Sequence, residues 1–457
     1  MLGGVGSMLG GAGVGSPRDP GRRLRRAWER PDLRDPDLAA RTRSHYSRGV
    51  DEAPLHPAAR LPDEWKAALV ARGERAFTAG QIFHWIHRRG VLDPLGMSNL
   101  SSRLREQLAA EGLRDVLALE HLHRSEDGTR KLLLRLRDGA SIESVLLPAV
   151  SGPGGRAELD ADAAAADDED DEDDEDAPAT VAAPSSGSGR GGAVAAPTIR
   201  VTQCISTQVG CAMGCTFCAS GVAGLKRHLG PEEILAQVLM GRALLEEGEA
   251  LRNVVYMGMG EPLHNYEATA RSLRLLTHPD GLNLSSRRVT VSTSGLVPEI
   301  ARLGADFSGQ IALAISLHAA DDETRSALMP INRKYPLDRL IEALRAYPLP
   351  KRRRITVEYT LVGGHNDDPA EARRLAKLLR GLSVKINLIP MNPIEASALG
   401  PPSGERVAAF QEVLTEAGYS CFVRRRRGDD VSAACGQLVL LGAEPKVRRG
   451  PRVRAPE

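Results

Sequence analysis

The chain has 457 residues, 42% of them hydrophobic, which is enough for at least one large buried core. Its formal net charge of +1 conceals a basic body, because 13 of the 59 acidic residues lie between positions 158 and 176, and a basic body favours a polyanionic partner. The hydropathy pattern does not indicate a membrane span, and the Gly-rich N-terminus does not indicate a signal peptide. Six cysteines in a chain of this length do not indicate a disulfide framework, so we predict a cytoplasmic protein.

The first 125 residues fall into two parts. Residues 1–55 are rich in Gly, Pro and Arg with little apolar periodicity, which predicts a disordered extension. Residues 56–125 predict a small helical domain, in which Ile82, Trp85 and Ile86 share one helical face. By this pattern alone Trp85 is a core residue.

A strand pair and a low-complexity segment follow. Residues 126–150 predict two strands around an Asp-Gly turn at 138–139, joining the helical domain to the rest of the chain. Residues 151–196 consist largely of Gly, Ala, Ser and acidic residues, which predicts a disordered acidic insertion.

Residues 197–445 alternate between strand and helix patterns, and residues 446–457 form a basic tail. Six strands are predicted, at residues 199–206, 253–257, 288–292, 310–317, 355–362 and 384–389. Helices between them start at Pro231 and after Asp368, and a sixth covers residues 405–417. The fold class is therefore α/β, a partial (β/α)6 barrel whose chemistry lies at the carboxyl ends of the strands.

The most informative motif is the cysteine triplet Cys211, Cys215 and Cys218, spaced C-x3-C-x2-C just after the first of these strands. Three thiolates can hold one face of an iron–sulfur cube and leave its fourth iron open to a substrate, whereas an electron-transfer cluster normally has four thiolates. A structural zinc site and three buried thiols are the alternatives that the spacing leaves open.

The triplet and five further motifs resemble the RlmN/Cfr adenine methyltransferases of the radical S-adenosylmethionine superfamily. Those motifs lie at residues 257–262 (Met-Gly-Met-Gly-Glu-Pro), 292–295, 316–319, 390–393 and 428–438. The resemblance covers residues 61–147 and 197–441. It implies that the helical domain at 56–125 binds RNA and that residues 197–445 are the radical S-adenosylmethionine barrel, ending in a cysteine-containing loop.

The resemblance also implies a cofactor site. The triplet would hold one [4Fe-4S] cluster, and S-adenosylmethionine bound there would yield a 5′-deoxyadenosyl radical. The implied cofactor pocket consists of residues at successive strand ends: Gly260, Glu261, Ser292, Ser316, Leu317, His318 and Asn392. Taken singly, Gly260 is also typical of a turn and His318 of a hydrogen-bonded core histidine.

Three other residues have implied catalytic roles. Carbon 2 of adenine has no acidic proton, so direct transfer of a methyl cation to it is unfavourable. The resemblance implies that Cys435 is methylated first and that a second S-adenosylmethionine activates its S-methyl group, two per turnover. Cys204 would then release the product through a transient disulfide with Cys435. Glu143 would accept the ring proton, although the strand pattern equally suggests a solvent-facing side chain. Cys421 has no implied role, and we predict that it is structural.

The implied substrates are 23S rRNA, at an adenine of the peptidyl transferase centre, and tRNA, at the adenine 3′ of the anticodon. A flavodoxin-like reducing donor is the implied electron source. The basic segments at 352–354, 424–427 and 446–454 are candidate phosphate contacts, with 424–427 preferred because it precedes the Cys435 loop. Two alternatives stay open: a Cfr-like enzyme acting on carbon 8, and a non-catalytic iron–sulfur protein that binds RNA.

Overall fold

The computed structural model describes residues 55–114, 116–149, 181–182, 199–394, 397–424, 427–434 and 436–438. Cys435, the extension before residue 55, nearly all of the acidic insertion and the basic tail lie outside these residues. The predictions for those segments therefore stay predictions.

The first described segment is helical, as predicted. Its helices are α1 (Pro62–Val70), α2 (Thr78–Phe83) and α3 (Ser102–Ala110), with short turns at Pro57–Ala59, His84–Arg88 and Pro94–Gly96. Ile82 and Ile86 are fully buried. Trp85 is only half-buried: its indole N–H donates to Asn99 Oδ1 at 2.5 Å and the Arg89 guanidinium lies over its ring.

Three antiparallel strands follow, β1 (Leu117–Arg124), β2 (Arg130–Leu136) and β3 (Ser141–Pro148). The predicted hairpin is confirmed, with Leu133 opposite Glu143 across β2 and β3. The prediction that the helical domain extends to residue 125 is wrong at its end, because β1 pairs with β2. None of the eight residues of β1 is fully buried, so its apolar positions carry no clear period of two.

The remaining strands and helices alternate along the chain. The strands are β4 (Val181–Ala182), β5 (Ile199–Cys204), β6 (Gln208–Val209), β7 (Arg227–His228), β8 (Glu249–Tyr256), β9 (Val289–Thr293), β10 (Ala312–Ser316), β11 (Ile355–Leu361), β12 (Val384–Pro390) and β13 (Cys421–Val423). The helices are α4 (Ala219–Ala223), α5 (Pro231–Ala243), α6 (Tyr266–Leu276), α7 (Val297–Asp306), α8 (Asp322–Leu328), α9 (Leu337–Ala346), α10 (Pro369–Leu378) and α11 (Gly404–Glu416).

One sheet contains all of these strands except β6 and β7, in the order β1-β2-β3-β5-β8-β9-β10-β11-β12-β13, with β4 beside β8. Every neighbouring pair from β5 to β13 is parallel, which confirms the α/β class. All six predicted strands are present. The seventh parallel strand, β13, was not predicted, because three residues are too few to show a pattern.

The sheet is curved. In a flat sheet β5 and β12 would lie five strand spacings apart, or about 24 Å. Instead Cys204 at the end of β5 and Ile389 in β12 line one cavity. The parallel strands thus bend toward each other at their carboxyl ends, where the predicted motifs lie.

The N-terminal helices pack on the outside of this sheet. Arg271 in α6 donates to Glu64 in α1 at 2.8 Å, and the Phe83 ring meets His278 edge-on with centroids 4.8 Å apart. In the described parts of the chain, no helix has both the length and the apolar character that a membrane span needs.

Candidate active site

The cysteine triplet lies on the loop between β6 and α4. Cys211 is buried, Cys215 and Cys218 are partly exposed, and none of the three is in a disulfide. Burial raises the pKa of Cys211 to about 12 and raises that of Cys215 well above its usual range. Bound iron would favour the thiolate forms despite this burial.

This donor set suits a cluster that is bound on one face. All three thiols come from eight consecutive residues of one loop, and Cys218 faces the cavity described below. Among the described residues, no group of three His, Cys, Asp or Glu side chains is arranged to hold a single metal ion. The assignment to a multi-iron cluster therefore depends on the loop and on the similarity reported below.

The loop after β8 lies directly against β6, the strand that leads into the loop with the cysteine triplet (the cluster loop, residues 210–218). Gly260 has φ +102°, and a Cβ built there would be 2.6 Å from Gln208 Cβ. Gln208 Oε1 accepts the backbone N–H of Glu261 at 2.9 Å. Gly260 is thus more than a turn residue, since only glycine allows this close approach.

Glu261 connects two strand ends. Its buried carboxylate accepts the backbone N–H and the hydroxyl of Ser294 at 2.8 and 2.9 Å, and the N–H of Leu263 at 3.0 Å. Burial raises the pKa of Glu261, although these hydrogen bonds act in the opposite direction. The carboxylate therefore ties the end of β8 to the segment after β9.

Arg325 in α8 continues this connection. Its fully buried guanidinium donates to the carbonyls of Ser294 at 2.8 Å, Ser316 at 3.1 Å and Leu317 at 2.9 Å. A fourth bond goes to Asn332 Oδ1 at 2.9 Å. Arg325 thereby holds the ends of β9 and β10 together, and the sequence carries no motif that would have revealed it.

His318 lies on β10's carboxyl side and is buried with φ +59°. Its Nδ1 accepts the backbone N–H of Thr360 at 2.8 Å, and its ring meets Phe217 of the cluster loop edge-on at 4.8 Å. Burial, with a smaller effect of Arg325, lowers the pKa of His318 to about 3. Asn366, which the sequence analysis missed, donates to the His318 carbonyl at 2.7 Å and supports the strained backbone.

The central feature is an open cavity at the carboxyl ends of the strands. It brings together residues from distant parts of the chain: Cys204, Cys218, Asn392, Arg424, Arg427, Ala434 and Gly436. The last two flank Cys435 in the sequence. Buried Ser292 and the Ser316–Leu317 pair do not line this cavity.

Glu143 lies beside this cavity. Val145 of β3 pairs with Cys204 of β5, and Glu143 is on the same strand face as the cavity-lining Val145. Glu143 is buried, and its Oε1 is 3.1 Å from Lys131 Nζ. The alternative that it faces solvent is wrong, because β3 is covered on both faces.

The segment after position 435 is joined to the cluster loop. The Gly436 carbonyl accepts the N–H of Ala219 at 2.8 Å, and the Ser220 hydroxyl donates to the Leu438 carbonyl. Cys421 lies buried in β13, away from the residues that line the cavity. None of the described cysteines is in a disulfide, and Cys435 lies outside the described residues, so the Cys204–Cys435 disulfide remains a prediction.

Comparison with known proteins places this site in a family. The radical SAM superfamily profile matches residues 205–379, and that of the ribosomal RNA large subunit methyltransferase N-terminal domain matches residues 63–112. The dual-specificity RNA methyltransferase RlmN of Sorangium cellulosum (strain So ce56) is 82% identical over 396 residues, which cover 87% of this chain and 98% of that protein. The chain belongs to the RlmN family of radical S-adenosylmethionine enzymes.

Two further comparisons agree with this. The dual-specificity RNA methyltransferase RlmN of Syntrophobacter fumaroxidans (strain DSM 10017 / MPOB) is 42% identical, covering 82% of this chain and 95% of that protein. The crystal structure of a radical SAM methyltransferase from Sphaerobacter thermophilus matches with a TM-score of 0.71 and 41% identity, over 84% of this chain and 99% of that one. The resemblance is thus confirmed, and the family uses a [4Fe-4S] cluster and S-adenosylmethionine.

Proposed function

We propose that this enzyme methylates carbon 2 of an adenine in 23S rRNA, at the peptidyl transferase centre, and in tRNA, at the adenine 3′ of the anticodon. The reaction takes place in the cytoplasm, and a flavodoxin-like donor supplies the electron. One cluster and two molecules of S-adenosylmethionine serve each turnover.

One observation carries this proposal: Cys204, Cys218 and both neighbours of Cys435 line a single cavity. A proposed cluster ligand, a second cysteine and the two neighbours of Cys435 therefore border the same space. A protein that only bound RNA through its iron–sulfur cluster would have no use for the thiol of Cys204 at this place.

The chain's own residues would act in order. The Cys435 thiolate attacks the methyl group of a first S-adenosylmethionine, which forms an S–CH₃ bond and releases S-adenosylhomocysteine. When bound, the cluster and a second S-adenosylmethionine supply a 5′-deoxyadenosyl radical. The S-methyl group would give a hydrogen atom to that radical, which becomes 5′-deoxyadenosine, and the resulting carbon radical would add to carbon 2 of the adenine.

Glu143 and Cys204 would complete the exchange. When bound, the oxidised cluster would supply the acceptor for the one electron that leaves the ring adduct, and Glu143 would accept the ring proton. The Cys204 thiolate attacks the Cys435 sulfur, so an S–S bond forms as the S–CH₂ bond breaks. The released carbon takes a proton and becomes the methyl group, and an external thiol reductant restores both cysteines.

The proposed RNA contacts are charged and lie at the mouth of the cavity. Arg424 and Arg427 line it, as expected for side chains that meet phosphates near an extruded base. The names of the relatives, dual-specificity RNA methyltransferases, support RNA as the substrate. The matched N-terminal domain at residues 63–112 supports a second RNA contact on the helical segment.

The test is an anaerobic assay of reconstituted enzyme with 23S rRNA fragments and tRNA. Wild type is expected to yield 2-methyladenosine and 5′-deoxyadenosine, whereas Cys435→Ala yields no methyladenosine. Cys204→Ala is expected to accumulate a covalent protein–RNA adduct. Cys421→Ala is the matched control, since it removes a buried thiol away from the cavity.

The outcomes separate the alternatives. Methylation of carbon 8 would replace the proposal with the Cfr-like activity. Equal product from wild type and Cys435→Ala would refute the methyl-cysteine route. RNA binding without any product, from an enzyme with an intact cluster, would support the non-catalytic alternative.

A further inference from the structure

The turn between β1 and β2 holds the segment that leads to Cys435. Asp430 accepts the Ser125 hydroxyl at 2.6 Å through Oδ1 and the backbone N–H of Glu126 at 3.3 Å through Oδ2. Reciprocally, Asp127 Oδ2 accepts the backbone N–H of Gly428 at 2.9 Å. Each side of this contact thus contributes one carboxylate, and we call Ser125, Asp127, Gly428 and Asp430 the loop clamp.

The Asp127 side of the loop clamp is well ordered by its surroundings. Its Oδ1 accepts the N–H of Thr129 at 2.8 Å, and Arg427 Nε lies 3.7 Å from Oδ2. Burial would raise the pKa of Asp127, but hydrogen bonds from Thr129, Gly428 and Ser125 outweigh burial and lower it. Asp127 therefore stays a carboxylate, the stronger acceptor, at neutral pH.

The two segments also touch directly. Gly428 has φ +64°, and a Cβ built there would lie 2.7 Å from Ala433 Cβ and 3.0 Å from Thr129 Cγ2. Lys131, at the start of β2, has its Nζ 3.4 Å from the Ser432 carbonyl and 3.1 Å from Glu143 Oε1. Strand β2 and the turn before it thus contact residues 428–433. The same β2 strand pairs with β3, which carries the proposed proton acceptor Glu143.

We propose that Asp127 and Asp430 are positioning residues for Cys435, because they hold residues 427–434, the segment that leads to this thiol, against the β1–β2 turn. The proposal rests on the proposed function of Cys435. The other side of the loop is fixed independently, since the Gly436 carbonyl bonds to Ala219 beside the cluster ligand Cys218. Neither aspartate belongs to the cluster loop or the cofactor pocket, so losing the clamp should leave cofactor binding intact.

The test uses the full-length holoenzyme with Asp127→Ala, Asp430→Ala and the conservative Asp430→Asn. Three readouts are compared: hydrogen exchange of residues 427–434, the rate of Cys435 alkylation located by peptide mass spectrometry, and RNA methylation. Asp138→Ala is the matched control. Asp138 lies in the turn between β2 and β3. Its carboxylate accepts hydrogen bonds from Arg227 Nε at 2.6 Å and from the Ala140 N–H at 3.0 Å.

Both alanine variants are expected to exchange faster at residues 427–434 and to change the alkylation rate of Cys435. They should methylate RNA about tenfold more slowly, the effect of roughly one lost charge-assisted hydrogen bond. Affinity for S-adenosylmethionine stays within about twofold of wild type, because the clamp lies outside its pocket. Asp430→Asn should recover part of the rate because it keeps one acceptor oxygen, and Asp138→Ala should match wild type.

Unchanged exchange and alkylation in both alanine variants would overturn the clamp. Faster exchange with unchanged methylation would overturn the positioning role and leave a purely structural contact. If wild type fails to methylate RNA, the proposed function fails, and the alkylation rate of Cys435 still decides whether the two aspartates control its position.

Discussion

Arg325 offers the sharpest test of how the proposed cofactor pocket is built. Its guanidinium is fully buried, makes four hydrogen bonds, and joins the carbonyls of Ser294, Ser316 and Leu317. Burial lowers its pKa to about 10, so the group is still charged at neutral pH. Arg325→Met keeps most of the side-chain volume and removes all of the donors.

The expected cost follows from the acceptors left behind. Each buried acceptor without a partner costs about 1–3 kcal/mol, and removing the buried charge returns part of that sum. We expect the free energy of unfolding to fall by about 3 kcal/mol. Arg325→Lys should lie between the two, because an ammonium cannot reproduce the planar fork of donors.

The assay is urea unfolding of the anaerobic apoprotein, followed by far-ultraviolet circular dichroism, with S-adenosylmethionine affinity measured by calorimetry on the holoenzyme. The control is Arg302→Met, whose partly exposed ion pair with Glu267 at 2.7 Å is worth about 0–1 kcal/mol. If Arg325→Met is no more destabilised than Arg302→Met, or binds S-adenosylmethionine as tightly as wild type, the reasoning is refuted.

Three further predictions concern the cluster, the glycine turn and pH. Replacing any cysteine of the triplet by Ala should abolish cluster loading, measured as bound iron and sulfide, whereas Cys421→Ala should load normally. Gly260→Ala should weaken S-adenosylmethionine binding about tenfold or more, because a Cβ there would lie 2.6 Å from Gln208. The control is Gly364→Ala: Gly364 also has a positive φ, +74°, but open space around it, so this substitution should only strain the backbone. Burial, with a smaller effect of His278, lowers the pKa of His87 to about 3. Below about pH 6.5 the unfolded chain therefore binds a proton at His87, whereas the folded protein does not. His87→Phe should therefore gain stability over wild type by about 1.4 kcal/mol per pH unit as pH falls from about 6 to about 4, and a pH-independent difference in urea unfolding would contradict this.

Most of the parallel sheet was predictable from the sequence, and the reason is local. The parallel strands β5, β8 and β11 are largely buried on both faces and read as short apolar runs between turn residues. Helix starts carried visible signals, such as Asp368, which accepts the N–H of Ala370 at 2.8 Å. Strands β1 and β13 were missed because one is partly exposed and the other has three residues.

The candidate site divides in a similar way. The triplet, the Gly-Glu turn and the polar residues at strand ends were recognisable because their spacing along the chain is itself the signal. Arg325 and Asn366 were not, since each acts on backbone carbonyls that belong to other segments. Glu143 was ambiguous from its strand pattern, and its burial came only with the strands that cover it.

By itself the sequence determined the fold class and the cluster loop, because both depend on the order and spacing of neighbouring residues. Only the tertiary structure decided which distant groups meet. Val145 reaches Cys204 through the register of β3 on β5, and Asp127 bonds to Gly428 across 301 positions of the chain. Such contacts depend on strand register and sheet curvature, which arise from packing of the whole core and leave no periodic trace in either segment.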